Sequence, residues 1–243
     1  MKLQGDRIAE DLRGVVQGEL LFDDLSRALY STDASIFQVP PLGVITPRDE
    51  EDVRAVLRYA AEHQIPVAGR GAGSGLAGEA LTPGLVLDFS RHFRAIKAVG
   101  PDFVRVEVGV VHRELNAALA KAGRRFAPDP ASGDQCTVGG MVANNASGAR
   151  VLKHGYTREH VLGVRAVLAG GDVEEFGREP RRPGNGAAGR KPQLVAALVA
   201  LLEQHAELIR ACQPRTPFNR CGYLLHDVLG PDTLDLARLL VGS

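Results

Sequence analysis

The apolar residues of this chain change period several times, and each change marks an element. Ile8, Leu12, Val15 and Val16 recur at helical spacing, which predicts an amphipathic helix followed by a second short one ending near Ala28. Gly43-Val-Ile-Thr46 reads as a short buried strand. Thr46 is then a candidate N-cap, Pro47 suits the first helical position, and Asp49 stands where a capping box places an acid. The helix so begun carries Val53, Val56, Leu57 and Ala60 on one face. Ile65-Pro-Val-Ala68 and Leu85-Val-Leu-Asp-Phe89 read as strands. From Phe103 the alternation puts Val104, Val106, Val108 and Val110 on one side of a half-buried strand. A helix from about His112 ends at Gly123, a C-cap glycine. Two strand-like runs between Val161 and Phe176 join at Gly170-Gly171. Helices are expected near residues 192–211 and 232–241.

This alternation of strands and helices predicts an α+β or α/β protein without internal repeats. Its 243 residues can bury a sizeable core. Lys plus Arg and Asp plus Glu both number 29, so no overall field favours nucleic acid. Residues 177–192 concentrate Gly, Pro and basic side chains and read as a mobile, solvated loop rather than a nucleic-acid arm. Cys136, Cys212 and Cys221 show no CxxC spacing, which points to a reducing, cytoplasmic environment. Residues 1–11 are charged and lack a signal-peptide core. No apolar run approaches the ~20 residues of a membrane helix, although peripheral docking at the inner membrane face stays open.

Two glycine-rich segments carry the candidate chemistry. In the first, Gly73-Ser-Gly75-Leu-Ala-Gly78 matches the GxGxxG dinucleotide pattern after a strand. A Rossmann site needs a helix starting at those glycines. Here Thr82-Pro83-Gly84 and another strand arrive almost at once, so the fold is not Rossmann. The same physics allows another use. Gly71, Gly73 and Gly75 alternate with small residues, so successive backbone N–H groups can converge on one anion such as a pyrophosphate. A flexible surface loop is the competing reading.

In the second segment, Pro128 and Pro130 stiffen a wall that runs through Ser132 to Thr137. Thr137 is placed to cap a short helix through Gly139, Gly140 and Ala143, whose glycines would let a ligand approach the free N–H groups of the helix start. Asn144 and Asn145 add amides, and Gly148 closes the segment. Two side-chain-poor surfaces about sixty residues apart imply one elongated ligand between them, and FAD has that shape.

From about Tyr30 to Ser243 the chain resembles the FAD-binding domain of the vanillyl-alcohol-oxidase-type flavoproteins, in particular the D-lactate, glycolate and D-2-hydroxyglutarate dehydrogenase group. The matching residues are Pro41-Leu-Gly-Val-Ile-Thr-Pro47, Arg70-Gly-Ala-Gly-Ser-Gly75, Pro128-Asp-Pro-Ala-Ser132, Cys136-Thr-Val-Gly-Gly140 with Asn144-Asn-Ala-Ser-Gly148, and His154-Gly-Tyr156. Asp33-Ala-Ser35 and Asn219-Arg-Cys-Gly-Tyr223 resemble the large members that carry iron–sulfur modules downstream.

The resemblance implies an α+β fold of two FAD-binding subdomains, residues 30–100 and 101–243, and the apolar pattern puts a helical segment at 1–29 before them. It implies that Arg70, Gly71, Ala72, Gly73, Ser74, Gly75 and Leu76 wrap the pyrophosphate. Pro128, Asp129, Ser132, Thr137, Gly139, Gly140, Ala143, Asn144 and Gly148 would line the flavin and ribityl side, with Val161 towards the adenine. Ser74 stands where covalent relatives carry a His, so non-covalent FAD is expected.

Relatives continue past the Leu239-Leu-Val-Gly-Ser243 segment into a Glu-Gly-Thr-Leu turn and a substrate cap. The resemblance therefore places the catalytic residues outside these 243 residues. The implied activity is oxidation of a small D-2-hydroxy acid, with the electron acceptor left open. Two other readings compete: a stand-alone flavin-binding electron-transfer subunit whose partner chain brings the cap, and a structural protein with an emptied site. The seven histidines show no HxH or HExxH spacing, so a metal site is not expected.

Overall fold

The computed structural model describes residues 2–182, 189–213, 215–216 and 222–243. Helix α1 (Lys2–Leu12) leads to strand β1 (Glu19–Leu21), helix α2 (Asp24–Leu29), strand β2 (Gly43–Thr46), helix α3 (Glu50–Glu62), and strands β3 (Val67–Arg70) and β4 (Leu85–Asp88). These strands form one sheet of order β1-β2-β4-β3. The β2 and β3 strands flank β4 in parallel, while β1 runs antiparallel on the β2 edge. Every residue of β4 is buried, as expected of a central strand covered on both faces.

Residues 1–29 carry strand β1 as well as helices α1 and α2. Ile8, Leu12 and Val16 pack into the same core as Leu42, Ile45, Val53, Val56, Leu85 and Leu87. Between the two helices residues 19–21 form β1, a strand that the apolar pattern did not mark. Helix α3 begins beyond Thr46, which ends β2. Asp49 is the N-cap instead, its carboxylate accepting from the Asp52 N–H at 3.1 Å. Asp52 itself is buried and accepts three backbone N–H groups, from Gln17, Gly18 and Arg48, each at 2.8 Å. That satisfies a carboxylate which would otherwise be costly to bury, and it fixes the path into β1.

The second half begins with the hairpin β5 (Ile96–Val99) and β6 (Val104–Val106). The valine alternation therefore outlasts the strand. Past Val106 the backbone turns in, so that Val108 is 41% exposed while Val110 is 1% exposed. Helix α4 (His112–Ala120) follows and closes at Gly123 in the left-handed region (φ 66°). Val110, Leu115 and Leu119 make a small core with this hairpin. Then come α5 (Val138–Ala143), α6 (Val151–His154), and the antiparallel hairpin β7 (Val164–Val167) with β8 (Val173–Phe176), turning at Gly171.

Strand β9 (Arg178–Pro180) lies inside the stretch read as a mobile loop. It pairs with β10 (Thr233–Asp235), while helix α7 (Arg190–Gln204) reaches back to its other end. Residues 183–188 lie outside the described part. After α8 (Ala206–Cys212), β10 leads into α9 (Leu236–Leu240). Val195, Val199, Leu202, Leu234 and Leu236 close the third core with Phe176.

Candidate functional site

The two glycine-rich segments share one cleft of about 180 Å³. Gly71, Ala72, Gly73, Ser74 and Gly75 line one side, and Ser132, Thr137, Gly140, Ala143 and Asn144 line the other. Direct contact holds the sides together: a Cβ on Gly71 would lie 2.2 Å from Thr137 Oγ1, so only glycine allows this approach.

The first wall follows from β3. The strand ends at Arg70, and turns rather than a helix carry the chain to β4, which excludes the Rossmann geometry. Among the described residues, no backbone N–H of residues 71–76 donates to a protein acceptor. Those donors are open to an anion.

The loop is held from behind. The Gly73 carbonyl accepts from Ala34 N–H at 3.0 Å, and Arg70 Nη2 donates to the Thr32 carbonyl at 2.8 Å. The Arg70 guanidinium lies 5.2 Å from the Tyr30 ring centroid, a cation–π arrangement. Gly73 has φ 63°, and a Cβ there would meet Arg70 Nη2 at 2.6 Å. Arg70 therefore sits beneath the loop rather than in the cleft, and its Nη1 is buried without a partner. Tyr30 donates its phenolic O–H to Asp88 Oδ2; burial first, then that carboxylate, push the phenol pKa up.

The second wall is positioned by α4. His112 is buried, and its Nε2 lies 2.9 Å from Asn116 Nδ2. The Asn116 amide brackets Phe126, accepting its N–H at 2.7 Å and donating to its carbonyl at 3.2 Å. The chain then passes buried Pro128 and turns at residues 130–136. Thr137 caps α5 by accepting from Gly140 N–H at 3.3 Å.

The start of α5 is not open to a ligand as the glycines suggested. Val138 N–H goes to the Val110 carbonyl and Gly139 N–H to the Val108 carbonyl, each at 2.8 Å. Gly139 is needed for packing, since a Cβ there would lie 2.7 Å from Val108 Cβ. Gly148 is a packing glycine too, with a Cβ position 2.0 Å from the Asp129 carbonyl oxygen. Asp129 turns its carboxylate to Arg150, accepting the backbone N–H at 3.2 Å. Arg70, Leu76, Pro128, Asp129, Gly139, Gly148 and Val161 do not line the cleft. Leu76 is 78% exposed, and Val161 stands in the approach to β7.

The cleft also takes Gly69, Glu79, Ala80, Pro130, Cys136, Met141 and Ala146, to which sequence reading had assigned no cofactor role. Glu79 had one available signal: after Arg70 it is the first charged residue in an otherwise uncharged loop. Cys136 is buried, and that burial pushes its thiol pKa up, so it stands there as a neutral group. A larger depression of about 450 Å³, lined by Glu50, Arg54, Arg165, Asp172 and Arg190, is closed on itself by ion pairs such as Arg165–Glu50. Among the described residues, no three His, Cys, Asp or Glu side chains converge on a metal position.

Residues 41–177 match the family described as FAD binding domain, a span that contains both walls. The chain belongs to this family. Its cofactor is FAD. The cleft suits the anionic part of that group on its own evidence, through a side-chain-poor wall at residues 71–75 whose N–H groups meet no protein acceptor.

The chain is 36% identical over 227 residues to a D-2-hydroxyglutarate dehydrogenase of Pantoea ananatis, covering 89% of this chain and 22% of that protein. It is 36% identical over 169 residues to the glycolate oxidase subunit GlcD of Bacillus subtilis, covering 67% and 36%. It thus spans about a fifth of the length of the dehydrogenase it matches. A solved alkyldihydroxyacetonephosphate synthase superposes with a TM-score of 0.62 at 21% identity, over 78% of this chain and 37% of that one. This FAD-binding domain therefore has the two-subdomain fold of the vanillyl-alcohol-oxidase type. The Asn219-Arg-Cys-Gly-Tyr223 resemblance falls largely outside the described residues.

Proposed function

We propose that this chain is the FAD-binding part of a dehydrogenase that oxidises a small D-2-hydroxy acid. One observation carries the reading: residues 71–75, whose N–H groups meet no protein acceptor, line one cleft with Thr137, Gly140, Ala143 and Asn144. The similarity to the D-2-hydroxyglutarate dehydrogenase and to the glycolate oxidase subunit supports the substrate class. The 71–76 backbone would hold the diphosphate, and Ser132, Thr137, Gly140, Ala143 and Asn144 would bound the flavin. Bound FAD supplies the two-electron oxidant. This chain's task is to hold, orient and shield it, while substrate orientation and proton removal fall to the remainder of a longer protein.

FAD is held without a covalent bond, since Ser74 offers no imidazole and Cys136 is a buried neutral thiol. The unpaired thiols of Cys136 and Cys212 support a reducing cytoplasmic location, free or docked at the inner membrane face, which fractionation tests. The functional test has two arms. The 243-residue chain is stripped of flavin and titrated with FAD, then acid-precipitated; FAD should bind and be released intact into the supernatant. The full-length protein is assayed by dye reduction with D-2-hydroxyglutarate, D-lactate and glycolate. Absence of FAD binding in both proteins would defeat the reading. Reduction by the L-acids alone would defeat its substrate class.

A further inference from the structure

Arg70 and Glu79 are the only charged side chains of residues 70–79, and they bracket the glycine loop. Arg70 lies beneath it. Glu79 lies over it: a Cβ on Gly75 would be 2.7 Å from the Glu79 Cδ and Oε1 and 2.8 Å from Oε2. Its Oε2 also accepts the Ala77 N–H at 3.0 Å, the first N–H beyond the open run. The side chain is exposed and lines the cleft, and among the described residues its carboxylate forms no ion pair.

We propose that the Glu79 carboxylate is a like charge standing over the loop, which the diphosphate of the incoming cofactor must push aside. Glu79 thereby sets the affinity of the site. This rests on the FAD reading of the cleft. The open N–H donors attract negative charge, while the Glu79 carboxylate lies against Gly75 and takes only the Ala77 N–H beyond them. A diphosphate on those open donors meets a like charge at Gly75, which opposes binding until the side chain swings into solvent. Being exposed, that side chain moves without disturbing the core.

Glu79→Gln separates charge from shape, since the amide oxygen can still accept the Ala77 N–H. The flavin-free 243-residue chain and this variant are titrated by calorimetry with FAD, ADP, inorganic pyrophosphate and riboflavin. The variant should bind FAD and ADP on the order of tenfold more tightly at low salt, with the gap narrowing as salt screens the repulsion. Riboflavin, which has no phosphate, should bind both proteins equally. Detectable diphosphate binding by the variant alone supports the proposal in its strongest form.

Equal or weaker binding of FAD and ADP by the variant overturns it, because a residue that only props the loop gives that result. If the parent chain binds FAD and the variant gains nothing, the FAD reading stands and this inference falls. If neither protein binds any diphosphate, both fall.

Discussion

Gly71 sits so close to Thr137 that a Cβ on the glycine would lie 2.2 Å from the threonine Oγ1. This contact joins the end of β3 to the cap of α5, and it sets the separation of the two walls. Gly71→Ala is therefore expected to force the walls apart, lowering stability by roughly 1–3 kcal/mol as overpacking does, and to cost most of the FAD binding. Thr137→Ala alone should cost about 1 kcal/mol through the lost cap. Because the pair shares one contact, the double variant should be less destabilised than the sum of the two. Denaturant titrations of all four proteins decide it, and strict additivity counts against a shared contact.

Gly73 makes a separate point, because its constraint is conformational. At φ 63° an alanine is strained by about 1–2 kcal/mol, and its Cβ would press on the Arg70 guanidinium 2.6 Å away. Gly73→Ala should still fold cooperatively, with Tm lowered by roughly 2–8 °C, and lose at least tenfold in FAD affinity. Unchanged flavin content in the purified variant would remove this residue from the site.

How much of this was legible beforehand follows from what each residue does. The glycine loop could be read because an alternation of Gly with small side chains after a strand has few other uses, and the missing helix after it excluded a Rossmann site. In the second segment Thr137 and Gly140 line the cleft, while two of its other glycines are taken up by packing. Gly139 and Gly148 answer to Val108 and Asp129, partners fixed only by the fold. Met141 and Ala146 line the cleft for the same reason, and no local pattern marks them. The cap of α3 fell on Asp49 rather than Thr46 because β2 had already claimed the threonine.

Arg158 is the clearest case of a residue hidden from sequence reading. It is 5% exposed, and its guanidinium donates to the carbonyls of Arg238 at 2.8 Å, Leu224 at 2.9 Å and His226 at 2.7 Å. Burial, followed by the neighbouring Arg238 charge, draws its pKa down to about 10, so it remains a cation at neutral pH. Arg158→Met would strand these carbonyls. With each unmade buried bond worth about 1–3 kcal/mol, the loss should reach about 3 kcal/mol or more. That corresponds to a fall in Tm of roughly 6–12 °C, with faster amide exchange concentrated in residues 224–239. A fall in Tm of less than about 2 °C would show that the clamp is not structural.

The same clamp makes the C-terminal segment sensitive to acid. His226 places Nε2 3.4 Å from Arg158 Nη1, and burial, then the Arg158 charge, hold its pKa below the ordinary 6.5. Asp227 acts in the opposite sense, while Arg238 adds to the depression. The folded state therefore binds this proton less readily than the unfolded chain does. The contribution is fully present above pH 6.5 and is lost as the pH falls below that value towards the depressed pKa of the folded state. His154 is also held low, by its partial desolvation and then by the Arg125 charge, but it lies at the surface and is common to both proteins compared. His226→Gln keeps a polar group beside Arg158 and cannot titrate. Between about pH 7.5 and pH 5.5, above the range where most carboxylates titrate, the parent chain should lose more Tm than the variant. Amide protection at residues 224–239, taken relative to the intrinsic exchange rate at each pH, should fall in the parent chain only. Parallel Tm slopes for the two proteins would place the acid sensitivity elsewhere in the fold.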